Sequence, residues 1–153
     1  MTIYQTAYGP RHPQVARAMG ALRVALNHAG RYAPARDYLQ RTLAITESAF
    51  GPDHPETARV LTNLGDVLDN LGDYPAARTY LERALAIIES SYGPDHPDVA
   101  RILTILGVVL YNLGDRRQVR VHRERAVRIL RQTLGPDHPD TLRAELRALD
   151  QDP

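Results

Sequence analysis

Apolar residues recur at steps of three and four through the middle of this chain. Between residues 55 and 71 they fall at Ala58, Leu61, Leu64, Leu68 and Leu71, with Gly65 in the same stripe. Such steps keep one face of a helix apolar, because about 3.6 residues complete a turn. A second stripe follows at Ala77, Leu81, Ala84, Leu85 and Ile88. The ends of both helices are written in the sequence too. Pro55 suits a first turn, where its missing N–H costs nothing, and Asp53 or His54 can cap the free donors. Gly72 fits a left-handed helix stop, Asp73 can cap the next helix, and Gly93-Pro94 ends it. The same phasing predicts helices over 13–29, 32–49, 55–71, 74–91, 97–113 and 116–133. Turns this short force neighbouring helices antiparallel.

The stripes repeat. GPRHP at 9–13 returns as GPDHP at 51–55, 93–97 and 135–139, always 42 residues on and without insertion. Aligned without gaps, 9–50 and 51–92 agree at 20 of 42 positions, and 51–92 and 93–134 at 22. A fixed period with two helices per unit predicts a stacked array, each unit burying its apolar face against the next. The expected organisation is the end of a preceding second helix at 1–8 and whole repeats at 9–50, 51–92 and 93–134. A partial repeat, or C-terminal capping helix, follows at 135–153. Cut repeats at both ends read as a piece of a longer array and leave apolar edges that invite self-association.

The motif residues resemble tetratricopeptide repeats, in the long 42-residue form with HPxxA starts found in kinesin light chains and bacterial signalling ATPases. The first helix carries a large apolar residue, then Leu-Gly, then another large residue: Leu61, Leu64-Gly65 and Leu68, and again Leu103, Leu106-Gly107 and Leu110. The Gly-x-Tyr turn appears as Gly72-Asp73-Tyr74 and Gly30-Arg31-Tyr32, and the small second-helix residues as Ala77 and Ala84. The resemblance implies an all-α fold, a right-handed α-solenoid of antiparallel helix pairs. It also implies that the first helices line a concave groove used for binding other proteins. Three positions depart from the pattern. Arg23 stands where the tight glycine belongs, Arg116 replaces the turn tyrosine, and Arg123 takes the slot of Leu81. An unpaired buried Arg is costly, so Arg123 is expected either to lie exposed or to meet Glu145, which occupies the slot of Leu61.

Composition narrows the remaining choices. With 43% hydrophobic and 24% charged residues the chain reads as a soluble folded protein, and no apolar run is long enough to span a bilayer. No leader pattern opens it and there is no cysteine, so a cytoplasmic location is the expectation and thiol chemistry is excluded. All nineteen basic residues are Arg, the bias expected of a GC-rich, bacterial coding sequence. The net charge of +1 conceals +4 over residues 1–50, −5 over 51–114 and +2 over 115–153.

The recurring polar positions hold the candidate chemistry. His12, His54, His96 and His138 are equivalent, but successive repeats stand ~8–10 Å apart, too far to share a tetrahedral metal. They are read as caps, with no metal and no cofactor. Asp66 and Asp69 are expected along an exposed face, Asp73 as a cap, and no phosphate-binding loop exists. No enzyme activity is expected. Arg17, Arg59, Arg101 and Arg143 form a ladder at one position near the start of each first helix, where cations oppose the helix dipole. Helix stability therefore does not explain them. Either they pair with acids of the same turn, such as Glu56 and Asp98, or they grip carboxylates of an acidic or C-terminal peptide. The same stripe continues as Asn63, Asp66 and Asn70 in the second unit, and as Ile105, Val108 and Asn112 with Tyr111 beside them in the third. The Ile-Val-Tyr cluster is expected to be exposed, as a binding hot spot or as a surface covered by a second copy.

Helix 116–133 carries seven Arg against Glu124 alone, and is read as a solvated convex face. Near-neutral overall charge and missing interleaved aromatics argue against nucleic acid. The leading reading is a non-catalytic scaffold that binds a protein or peptide, acidic in character, in the concave groove. The alternative is a homo-oligomer assembled through its terminal repeats.

Overall fold

The computed structural model of the protein describes residues 30–149. Over that span the chain forms six helices: α1 Tyr32–Phe50, α2 Pro55–Leu71, α3 Tyr74–Tyr92, α4 Pro97–Asn112, α5 Arg116–Leu134 and α6 Pro139–Leu149. The bounds expected from the stripes of α1 to α5 are met to within a residue. The helix expected at 13–29, with Arg17 and Arg23, lies outside the described residues.

Each helix packs on the next, and α2 also touches α4 across the intervening helix. This makes a consecutive stack of antiparallel pairs, α2 with α3 and α4 with α5, flanked by α1 and α6. The core runs along the stack as one continuous cluster, with Leu61, Leu64, Leu81, Leu103, Leu106 and Ile129 fully enclosed. The expected stripes supply most of it. Leu71 does not: it is 37% exposed, because it is the last residue before the Gly72 stop and lies beyond its neighbours' reach. Leu85 is only partly buried against the core, and Ile87 is enclosed in its place.

The turns are held by the repeat signature. Nδ1 of His54 accepts from the backbone N–H of Glu56 (3.1 Å). His96 does the same for Asp98 (3.1 Å) and His138 for Asp140 (3.2 Å). The cap acceptor is thus the imidazole, while Asp53 makes no such bond. The rings of His54 and His96 also lie against Phe50 and Tyr92, with centroids 4.8 and 4.7 Å apart. His54 and His96 therefore each fasten the end of one helix to the start of the next. Asp73 and Asp115 cap the second helices, accepting from Ala76 and Gln118. Gly72 takes φ 79°, a conformation that disfavours any residue with a Cβ.

Candidate functional site

The recurring Leu-Gly of the first helix sets how closely the second helix approaches. In α2 an added Cβ on Gly65 would stand 2.3 Å from Cγ of Leu81, and Leu81 is wholly enclosed. In α4 the equivalent Gly107 faces Arg123, with the nearest atoms 3.6 Å away, an ordinary contact. The same glycine thus makes a tight joint in one unit and a loose one in the next.

Arg123 meets neither expected fate. It is partly buried over Gly107, and its Nη1 donates to the backbone carbonyl of Arg147 (3.2 Å). Burial, then the nearby Arg147 guanidinium, lower its affinity for the proton, with Tyr111 opposing; an arginine stays charged regardless. Glu145 pairs instead with Nε of Arg131. The reason is direction: α5 and α6 are antiparallel, so later residues of α5 meet earlier residues of α6. Eight residues of helix separate Arg131 from Arg123 by about 12 Å, which puts Glu145 opposite the former.

The ladder arginines take three different partners. Arg59 pairs with Glu56 in its own turn (2.7 Å), and Arg143 with Asp140 (3.3 Å). Arg101 ignores Asp98, which lies 3.7 Å from the ring of His96, and reaches back to α2, where its Nη2 donates to Oδ1 of Asn63 (3.4 Å). Arg59 and Arg101 nevertheless line one recess of about 150 Å³, together with Glu56, Thr62, Tyr92 and Asp98. The structure therefore joins two rungs of the ladder at the starts of α2 and α4, with Asn63 of mid-α2 bonded to one of them. Arg143 stands apart on α6, and Arg17 lies outside the described residues.

Further along the stripe the picture changes from the expectation. Ile105 and Val108 are half-buried, Ile105 being packed against the core, so no exposed Ile-Val-Tyr cluster forms. Tyr111 alone is exposed, and the guanidinium of Arg116 sits 5.4 Å from its ring centroid. Asn70 turns back to donate to the backbone carbonyl of Asp66 (2.8 Å). Asn112 donates to Oδ1 of Asp69 (3.4 Å), a second polar link between α4 and α2. Asp69 is consequently not on an open face. Burial raises its carboxyl above the usual range, the Asn112 bond opposes this, and Asp66 adds to it.

Five of the seven arginines of α5, Arg116, Arg117, Arg120, Arg128 and Arg131, are exposed as expected, while Arg123 and Arg125 are partly buried. Arg125 turns inward, pairing with Glu89 (2.6 Å) and donating to the carbonyl of Pro94 (2.9 Å). This repeats, 42 residues on, the link of Arg83 to Glu47 (2.7 Å) and to the carbonyl of Pro52 (3.0 Å). The recurrence of Arg83 with Arg125 and of Glu47 with Glu89 was visible in the alignment as a potential brace between successive second helices. Arg116, Arg117, Arg120, Arg123, Arg128 and Arg131 instead line a groove of about 1080 Å³ between α5 and α6.

Among the described residues no three or more His, Asp or Glu gather to hold a metal ion, and no helix is long and apolar enough to cross a membrane. The sequence matches the tetratricopeptide repeat family over residues 1–48, 24–90 and 67–132. No match was found among curated proteins. Among solved structures, it is similar to a protein of Podosopora anserina assigned as a kinesin light chain with nearly identical TPR-like repeats. That likeness has TM-score 0.83 at 21% identity and covers 92% of this chain and 66% of the other. It is also similar to BtubC (BKLC) from P. vanneervenii, with TM-score 0.72 at 26% identity, covering 90% of this chain and 55% of that one. The chain thus spans less than two thirds of either neighbour. Helix order, consecutive packing and these likenesses describe a right-handed α-solenoid, and the chain belongs to the tetratricopeptide repeat family.

Proposed function

We propose that the protein is a non-catalytic scaffold that binds an acidic, extended peptide of another protein along its first helices, with Arg59 and Arg101 orienting the peptide's carboxylates. Tetratricopeptide repeats in general mediate protein–protein interaction. The observation that carries the finer reading is the shared recess at the starts of α2 and α4. Arg101 spends one of its five N–H donors on a 3.4 Å bond to Asn63, leaving the rest for a carboxylate. Arg59 is held only by an exposed same-turn pair, worth about 0.3–0.5 kcal/mol, which a ligand carboxylate can replace. The direct contact of α2 with α4 is what the inner row of a curved stack would make, and it supports reading this recess as part of a concave face.

The test is a fluorescence anisotropy titration with a labelled, proline-containing peptide rich in Asp and Glu, which stays extended. Arg59→Glu with Arg101→Glu should abolish binding while leaving helicity by circular dichroism unchanged. Unchanged affinity would sink the reading.

A second reading, assembly of copies through terminal units, is favoured by the apolar edge of α6, where Leu146 is 61% exposed and Leu149 74%. Light scattering across a dilution series decides it, since a monomer at every concentration rules it out.

A further inference from the structure

Three of the helices carry an acid and an arginine at equivalent places, three residues apart: Glu56 and Arg59 in α2, Asp98 and Arg101 in α4, Asp140 and Arg143 in α6. In α2 and α6 the two side chains close on each other, at 2.7 and 3.3 Å. In α4 they do not. Arg101 reaches back to Oδ1 of Asn63 on α2 (3.4 Å), and Asp98 is left beside the ring of His96. Nδ1 of that ring accepts from the Asp98 N–H, so it carries no proton and offers the carboxylate no cation. The repeat shows which residue makes the difference. The equivalents of Asn63, 42 residues to either side, are Ala21 and Ile105, and neither has a side-chain acceptor. Of the three arginines, that of α4 alone has an amide at this place on the preceding first helix.

The opened pair borders a defined space. Asp98 and Arg101 both line the recess of about 150 Å³ between α2, α3 and α4, beside the buried Ala58, Ile88 and Ile102. Glu56 and Arg59, which line it too, neutralise each other. A carboxylate that binds Arg101 in so small a recess comes to stand near Asp98, and like charges at that range oppose one another. A cation beside the incoming carboxylate removes the conflict by pairing with Asp98. The spacing suits an extended chain. Residues three apart on a helix have Cβ atoms about 5–6 Å from each other. Residues two apart on an extended strand point to one side and stand about 6–7 Å from each other.

We propose that Asn63 is a positioning residue that holds Arg101 away from Asp98, and that the recess thereby selects a peptide segment with an acid and a base two residues apart over one with acids alone. The acid meets Arg101 and the base meets Asp98. The proposal rests on the concave-face reading for the place of the peptide, and adds a base that that reading does not require. In the absence of Asn63 the pair in α4 closes as it does in α2 and α6, and both charges are lost to the ligand.

The test uses two labelled, proline-containing extended peptides in anisotropy titrations at one ionic strength. One is rich in Asp and Glu alone; its twin has a lysine in place of the acid two residues from another acid. Wild type should bind the twin about twofold to fivefold more tightly, the range that an exposed ion pair supports. Asp98→Asn should erase that preference. Asn63→Ala should erase it too and weaken both peptides, with helicity unchanged. Adding Asp98→Asn to Asn63→Ala frees Arg101 again and should restore the acids-only peptide to its affinity for Asp98→Asn alone. A loss that persists in the double variant would make Asn63 merely structural and overturn the proposal. Equal binding of the two peptides by wild type, or a preference that survives Asp98→Asn or Asn63→Ala, overturns it as well. If wild type binds the acids-only peptide through Arg59 and Arg101 without preferring the twin, this proposal fails and the concave-face reading stands. Binding of neither peptide would dismiss both.

Discussion

Residues 51–92 and 93–134 share the GPDHP start, the Leu-Gly of the first helix and the aspartate cap of the second, yet they use the joint between their helices differently. In the former unit Leu81 fills the hollow over Gly65 with no room left for a methyl group. In the latter, Arg123 lies over Gly107 at ordinary contact distance and carries its guanidinium outward to the carbonyl of Arg147. The turns are alike in both: His54 and His96 cap the first helices, Asp73 and Asp115 the second, and Gly72 and Gly114 take φ 79° and 82°. What differs is the content of one slot, and with it the character of the surface: an enclosed apolar joint in one unit, a cationic groove wall in the other. Fold is carried by the shared residues, and individuality by those that depart from them.

The harshest way to break this comparison is to make the second unit imitate the third. Leu81→Arg would force a guanidinium into a wholly enclosed site without the carbonyl that receives Arg123, and should destabilise by more than about 4 kcal/mol. Urea denaturation of the variant checks this; a loss below about 1 kcal/mol would mean that the slot opens readily. The two glycines give a finer contrast. Gly65→Ala should cost about 1–3 kcal/mol by overpacking against Leu81, whereas Gly107→Ala should be neutral or stabilising by up to about 1 kcal/mol, since alanine favours the helix. Equal shifts in Tm would contradict the difference in packing.

The brace common to both units comes next. Arg125→Met should cost about 1–2 kcal/mol, because it strips partners from the partly buried Glu89 and from the Pro94 carbonyl. Restoration of stability by the further change Glu89→Met would confirm that the two residues act together.

The smallest effect concerns His122, which stands in α5 where α3 has Tyr80. Burial, and then Arg125, hold its proton affinity below the ordinary value of 6.5; Arg78 adds to this, while Glu82 and Asp115 oppose it. The folded-state pKa is depressed, so the unfolded chain takes up the proton first. Stability is therefore lost as pH falls from about 6.5 towards the folded-state pKa, and is level below it. His122→Gln should flatten that part of a stability-against-pH curve, and an unaltered slope would assign it to other groups.

Much of this was legible in the residues. The stripes and stops gave the helix bounds because a 3.6-residue period and Pro, Gly and Asp signals act locally. The 42-residue recurrence gave the stacking order. Partners between helices were another matter. Glu145 was matched to Arg123 by slot, but antiparallel packing slides it to Arg131. Arg101 was matched to Asp98 by proximity in sequence, yet reaches Asn63 on another helix. Ile105 and Val108 were placed on an open face by periodicity, which cannot say how far a neighbouring helix covers that face. The groove of α5 was missed because its walls belong to two helices, and charge counting sees only one of them.

The central claim is that these repeats present an interaction surface whose specificity lies in its arginines. It is tested most directly by titrating the extended acidic peptide against wild type, Arg59→Glu/Arg101→Glu and Asn63→Ala. The account predicts that wild type binds, that the pair of substitutions abolishes binding and that Asn63→Ala weakens it. Full binding of the peptide by both variants would contradict it.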